Sequence, residues 1–456
     1  MKKTFVLLLA LCMAAVFFAV PVFAEGDGNA QPAAAPVNTQ EALEQALAAA
    51  APAGDTVTLG GNITLKTPIT VPANVTLDGA RTYTLTADTD FNGSYVVLAT
   101  GNLSNVTVNA AGMANYAVQV YGETANVTLT SVAMQNGKYS GLVVNNGASA
   151  SLKGCTFAGN GFSAVELADG KDHSGAAPKL TVDSLTDEVT VRADVSANAQ
   201  PVLTVEDDKP VLTGKVNGQT VYANNSEAML AALCNTQGAT EIALGGNINL
   251  ENPLKITQPV AVNGNGHELT VTKDITGVSG YGNAVTVEAD GVKLSNLTVN
   301  ANNNAKYAVH VYGAQNVTLD KVTAVNGNYN GVLVNGATVT MKDMTFRNNG
   351  GSKEMGGIEL GKGTNVQNTP KVTLEGTVNS DKLDKVLYVD VKQVGAANAA
   401  GAIENKTSNL NITVGADGSV TVVDKNAKPD PKPEEKPSTP APSAPAKANP
   451  KTGVKA

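Results

Sequence analysis

The chain has no tryptophan, only three cysteines and three histidines in 456 residues, and 4 % aromatics. Three cysteines exclude a disulfide framework and any Cys-based zinc site of usual ligand count. The few histidines leave little for a His-rich metal centre. Charged residues are scarce at 16 %, and their balance is acidic, with a formal net charge of −8. Tracking a phosphate backbone needs a basic surface, so nucleic acid is excluded as a partner. Against these scarcities stand 45 glycines and an apolar fraction of 42 %. That balance suits a chain that stacks many short strands on polar turns better than an enzyme with an aromatic core.

The two ends differ from the middle. The first residues read MKKTFVLLLALCMAAVFFAVPVFA, with Lys2 and Lys3 before an apolar run and small residues at the cleavage positions. This pattern predicts a secretory signal peptide over residues 1–24, then a linker over 25–36. The mature chain is expected to be secreted, extracellular or wall associated, without a membrane span. Cys155 and Cys234 then remain at non-equivalent places in the repeats described below, and they read as reduced, buried, small apolar residues. Residues 425–456 are Pro-rich and charged, cannot bury a core and read as an extended, disordered stalk. Within them Asn449, Pro450, Lys451, Thr452 and Gly453 resemble a sortase recognition pentapeptide of Gram-positive surface proteins, with Asn in the usual Leu place. The hydrophobic span and basic tail of such substrates do not follow; Val454, Lys455 and Ala456 do. The resemblance implies attachment to peptidoglycan. A freely secreted protein with a degenerate tail is the alternative.

Between the ends the chain repeats itself. LSNVTVNAAGMANYAVQVYG from Leu103 matches LSNLTVNANNNAKYAVHVYG from Leu294, and NVTLTSVAMQNGKYSGLVVN from Asn126 matches NVTLDKVTAVNGNYNGVLVN from Asn316. The offset drifts between about 185 and 193 residues. Two units follow, over 37–223 and 224–424. Within each, apolar triplets recur about every 22–25 residues, with shorter strands between them and Asn-Gly corners. Asn and Gly tolerate positive φ and so suit tight corners. Short strands without crossover helices specify a parallel solenoid. The expected inward column is Val118, Leu142 and Val165, with Val120, Val144 and Leu167 beside it. In the second unit it is Val309, Val332 and Ile358, with Val311, Val334 and Leu360. TQEALEQALAAAA from Thr39 and SEAMLAAL from Ser226 read as short amphipathic helices that cap each stack, with Thr39 and Ser226 as N-caps.

This order is a cap helix with EAL and AL pairs, then I.L...I.V..NVTL.G, then coils with NG corners. It resembles the right-handed parallel β-helix of the pectin lyase-like superfamily over most of residues 37–376. The expected fold is therefore all-β: two tandem right-handed parallel β-helices, each with a short N-terminal capping α-helix. Residues 179–223 and 371–424 read as further strands, either last coils or small β-caps. The resemblance implies a choice among polysaccharide lyases, glycoside hydrolases and non-catalytic surface proteins.

Cleavage of a glycan by hydrolysis needs paired carboxylates about 5–10 Å apart. The lyases of the resembled family need an acidic calcium site and a basic residue to take a proton. The outward columns, where such groups would stand, are expected to be Val97, Gln119, Val143, Glu166 and Thr286, His310, Leu333, Glu359. Glu166 and Glu359 match between copies and are the catalytic candidates, each alone beside Val or Leu. His310 faces Gln119 in the other copy and reads as a surface histidine. Arg81, Arg192 and Arg347 are the only three arginines, and none recurs. Asp88 with Asp90, and the loop with Asp169, Asp172 and His173, are the only candidates for calcium; the loop reads as a solvated turn, and no cofactor is expected. Tyr116, Tyr121 and Tyr139 recur as Tyr307, Tyr312 and Tyr329 and read as a cluster near one edge of the stack. They are the ligand-binding candidates, since aromatic faces stack on sugar rings; covering the coil corners is the alternative. The leading expectation is a non-catalytic adhesin or glycan-binding module with a glycan or host-surface ligand. A lyase or hydrolase acting on acidic glycans, and a structural envelope spacer, are the alternatives.

Overall fold

The computed structural model describes residues 36–279, 282–351 and 355–427. The expected leader, the linker apart from Pro36, and residues 428–456 with the sorting pentapeptide lie outside them. Among the described residues no helix is long and apolar enough to cross a membrane.

Most strands are short because each coil turns a corner every few residues, whereas Lys293–Asn300, Val317–Val325, Thr338–Arg347 and Lys371–Ser380 run on through a corner at Asn296, Lys321, Asp343 and Gly376, each with positive φ. Asn105, Asn136, Asn146, Asn296 and Asn326 all take positive φ at such corners, a conformation that asparagine tolerates better than other side-chain-bearing residues. The result is a right-handed parallel β-solenoid with few helices. In the first stretch, a seven-stranded face runs from Thr56–Thr58 to Val202–Val205 and a five-stranded face from Ile63–Leu65 to Thr156–Ala158. The third face stacks Ile69–Val71, Tyr95–Ala99, Tyr116–Tyr121, Ser140–Asn145, Ser163–Ala168 and Val191–Asp194 in parallel. Its counterpart in the second stretch is a six-stranded face, from Leu254–Ile256 to Leu387–Val389.

The inward columns are as the alternation requires. Val118, Leu142 and Val165 pair coil to coil, as do Val309, Val332 and Ile358. All six are fully buried. The register differs from expectation at one coil: Val97 pairs with Val118 and is inward, while Leu98 pairs with Gln119 and faces out. Val96, Val97, Leu98 and Ala99 are apolar at every position, so alternation carries no parity there, and a slip of one residue exchanges the faces.

Thr39 accepts the Ala42 N–H at 3.2 Å and starts the helix Gln40–Ala50. Ser226 accepts the Met229 N–H at 3.2 Å and starts Glu227–Cys234. Leu43 and Leu47 join the first apolar core, and Leu230, Leu233 and Cys234 join the second. The two cores are spliced by a hairpin. Its strands Val211–Val216 and Gln219–Asn224 turn at Asn217 and Gly218, both with positive φ, as a two-residue hairpin requires. One strand pairs antiparallel with Val191–Asp194 and the other with Ala239–Ala243. Hydrogen bonding thus passes from one stretch into the next, and the described residues from Val37 onward belong to one compact unit.

The segments left open between coils and caps contain both. Lys179–Val182, Val191–Asp194 and Val202–Val205 continue the parallel stack, as do Lys371–Ser380, Leu387–Val389 and Ile403–Thr407. Hairpins follow in each case, the second from Leu410–Val414 and Val420–Asp424. The start of the expected stalk is still tied down, because Lys425 Nζ donates to the Thr407 carbonyl at 2.7 Å.

Cys155 and Cys234 are free. Burial pushes the Cys234 thiol up to about 12, so it is inert as a nucleophile.

Candidate functional site

Glu166 and Glu359 lie on the outward side of equivalent coils, but neither is alone. Tyr116, two coils above Glu166, lays its side chain along the stack and donates its hydroxyl to Glu166 Oε1 at 2.9 Å. The second copy repeats this: Tyr307 donates to Glu359 Oε2 at 2.8 Å, and Asn330 Nδ2 adds a bond at 3.1 Å. The catalytic candidates and part of the tyrosine set are therefore one duplicated feature. Val143, in the coil Tyr116 crosses, is buried although it faces outward. Burial lifts the Glu166 carboxyl above the usual glutamate range, and the Asp194 charge adds to the rise. The Tyr116 hydroxyl and the Arg192 guanidinium oppose it. Burial also raises the Tyr116 and Tyr307 phenols, with their glutamate partners second, so both phenols are donors.

The column reading missed the next coil. Glu166 pairs in register with Arg192, and Ala168 with Asp194. Glu359 pairs with Tyr388, and Leu360 with Val389, immediately before Asp390. Each glutamate thus has an aspartate one coil on and two residues along. Strands spaced about 4.8 Å apart with about 3.3 Å per residue put such residues about 8 Å apart. The signal was present in the sequence, since VRAD and LYVD both end on Asp. The two aspartates differ in their surroundings. Asp390 caps the short helix that follows, accepting from the Lys392 and Gln393 N–H groups and from Gln393 Nε2. Asp194 flanks Glu166 without such a role.

The six tyrosines do not form one cluster. Tyr116 and Tyr121 open and close one strand, about 16 Å apart at five steps of about 3.3 Å. At one end, Tyr139 stacks on Phe162 with centroids 5.1 Å apart, Arg192 lies 4.9 Å over the Phe162 ring, and Tyr116 meets Tyr139 edge-on. Tyr307 and Tyr329 stack at 5.5 Å in the second copy. These ring faces are turned to each other, which leaves less face for a sugar. At the other end, Tyr121 is exposed, whereas the Tyr312 hydroxyl donates to the Thr364 carbonyl.

Tyr312 belongs to a cleft of about 820 Å³ on the outward face of the second stretch. Tyr307, His310, Tyr312, Leu333 and Glu359 line it, with Thr286, Asn335, Lys362 and Lys392 around them. His310 is buried here, not at the surface as expected. Its Nε2 lies 2.8 Å from Asn335 Oδ1 and its Nδ1 3.1 Å from Asn283 Nδ2. One amide accepts and the other donates, which suits the neutral ring, and burial pushes its pKa down to about 4. The ring stands edge-on to Tyr312.

The calcium candidates do not assemble. Asp169 is buried and not in a solvated turn: its Oδ2 accepts the Ser196 N–H at 2.8 Å and its Oδ1 meets His173 Nδ1 at 2.7 Å. Asp90 makes a loose pair with Lys66 at 4.0 Å, and Asp88 accepts from Thr89. Among the described residues no group of three or more His, Cys, Asp and Glu is placed to hold a metal ion.

Residues 276–424 match the family model described as the right handed beta helix region, in keeping with the strand pairing. No curated protein matches the sequence. Of the solved structures, the mannuronan C-5 epimerase AlgE4 A-module of Azotobacter vinelandii is similar, at 11 % identity and a TM-score of 0.22, over 81 % of this chain and 91 % of that one. The catalytic domain of Agl-KA is similar at 10 % identity and a TM-score of 0.19, over 81 % of this chain and 65 % of that one. At these TM-scores neither likeness carries an argument about the site.

Proposed function

We propose that the protein is exported and acts at the cell surface as a non-catalytic glycan-binding module or adhesin. In this reading the two stretches are duplicate β-helices, each begun by its capping helix, on a Pro-rich stalk that the sorting pentapeptide ties to the wall of a Gram-positive bacterium. The observation that supports it is the cleft at Tyr312, where an aromatic wall and Leu333 lie beside convergent polar groups. That mixture of apolar faces and a few fixed hydrogen-bonding groups is what a sugar ring requires. A glycan array with the mature chain tests it. Tyr312→Ala and Glu359→Gln are expected to lower the signal, and unchanged signals from both would remove the reading. Fractionating cells is expected to place the chain in the wall or the medium; recovery in the cytoplasm would remove the export part.

One observation favours a hydrolase instead. Glu166, with its raised carboxyl, has Asp194 one coil on, their backbone positions about 8 Å apart, and inverting glycosidases work with a pair of carboxylates. Incubation with polysaccharides is expected to release no new reducing ends. Their release by the native chain, and its loss in Glu166→Gln, would replace the binding reading by an enzymatic one.

A further inference from the structure

The two copies differ most where the cleft lies. Counting three residues on from the matched glutamates, the second copy has Lys362 where the first has Asp169. Two residues beyond the matched aspartates, it has Lys392 where the first has Ser196. On the outward column it has Thr286, in register with His310, where the first has Leu98, in register with Gln119. Every one of these exchanges makes the second copy more polar or more positive, and all three residues line the cleft.

The charges already in the cleft are unevenly satisfied. Glu288 is paired with Lys255 at 2.9 Å, and Glu359 is held by Tyr307 and Asn330. The Lys362 and Lys392 ammonium groups have no partner among the described residues. Thr286 is buried, with 1 % of its surface exposed, and its Oγ1 finds no hydrogen-bond partner. A buried hydroxyl left without a partner is destabilising, so such a group calls for an explanation. His310 does not compete for an anion, because its ring is neutral and clamped by the two amides. A ligand with an acidic group supplies what is missing, negative charge for the two lysines, beside the polar Thr286 position that lines the cleft.

We propose that this cleft is the single ligand site of the chain and that it takes a glycan bearing an anionic group, a carboxylate or a sulfate ester, held between Lys362 and Lys392. The inference rests on the glycan-binding reading and narrows it. The first copy lacks both lysines: Asp169, at the place of Lys362, is buried and bonded to Ser196 and His173, and Leu98 stands in place of Thr286.

The test is titration of the full mature chain with galacturonate, sulfated galactose and neutral galactose oligosaccharides of equal length. One equivalent of a charged oligosaccharide is expected to bind per chain, at least tenfold more tightly than the neutral one and more weakly as salt rises. Lys362→Gln with Lys392→Gln is expected to lose at least tenfold in affinity. Lys138→Gln with Lys153→Gln, which removes the same charge from the first stretch, is expected to lose none. Preference for galacturonate over the sulfated sugar assigns the carboxylate, and the reverse assigns the ester. Equal binding of neutral and charged sugars, still lost in Tyr312→Ala, would overturn this inference and leave the glycan-binding reading standing. Two equivalents per chain would also overturn it. Failure of every oligosaccharide to bind would remove both.

Discussion

Tyr116 and Glu166 are 50 residues apart in the chain and 2.9 Å apart at their oxygens, because two coils of the solenoid separate them. A phenol that donates to a half-buried carboxylate stabilises the charged acid while burial opposes it. Removing the hydroxyl in Tyr116→Phe leaves burial and Asp194 acting, so the Glu166 pKa is expected to rise further in a carboxyl NMR titration. The sign of the linkage follows. A carboxyl whose folded pKa is raised binds its proton more tightly when folded, so its stabilising contribution is present below the unfolded value and fades as pH rises through the folded one. Glu166→Gln is therefore expected to flatten the fall in stability over that window, measured by urea unfolding at a series of pH values.

Asp169 and His173 behave in the opposite sense to each other. The Ser196 amide and His173 hold the Asp169 carboxyl below its usual range against burial, and the hydrogen bond to Asp169 raises His173. Asp169 contributes stability above the unfolded aspartate pKa and loses it as pH falls through the depressed value. His173 contributes below the unfolded histidine pKa and loses it as pH rises through the raised value. The loop they close is expected to be held best in the mildly acidic range between. Asp169→Asn is expected to lower the His173 titration toward the ordinary histidine range, followed by its ring proton shifts, with Asp194 and Asp172 still acting on it.

At the scale of single elements, the stack is held by columns of aliphatic side chains and by corners that only some residues can turn. Each buried Val or Leu contributes about 1.5–3 kcal/mol through the apolar area it removes from water. Leu142 sits between Val118 and Val165 with no exposed surface. Leu142→Ala is expected to cost about 2–5 kcal/mol by denaturant unfolding; a change below about 1 kcal/mol would mean the column is not packed as described. Gly101 marks a corner of another kind, where a Cβ would meet the Pro72 and Val75 carbonyl oxygens at 2.1 and 2.4 Å. Gly101→Ala is expected to lower the unfolding midpoint, since backbone and not a flexible side chain would have to move. The splice hairpin turns on Asn217 and Gly218, and its strands carry the sheet across from the first core to the second.

At the scale of the whole molecule, the two matching runs of sequence lie in one compact unit. The duplication itself, the inward columns, the helix starts at Thr39 and Ser226 and the parallel solenoid were legible in the sequence. All of them follow from local periodicity and from residues that act on their near neighbours. The exception at Val97 and Leu98 is a strand whose apolar residues do not alternate, where only the pairing partner selects the face. Side-chain contacts between coils were out of reach for a different reason: they depend on where the next coil begins, and loops of unequal length shift that point. Tyr116 beside Glu166, Arg192 beneath it, and His310 clamped between Asn283 and Asn335 are all of this kind. The sequence by itself determined that this chain winds into stacked coils, because burying an alternating apolar column leaves few other arrangements. Only the tertiary structure decided that the cleft with Thr286, Lys362 and Lys392 lies on the second copy, because a cleft is made by side chains from several coils meeting in space.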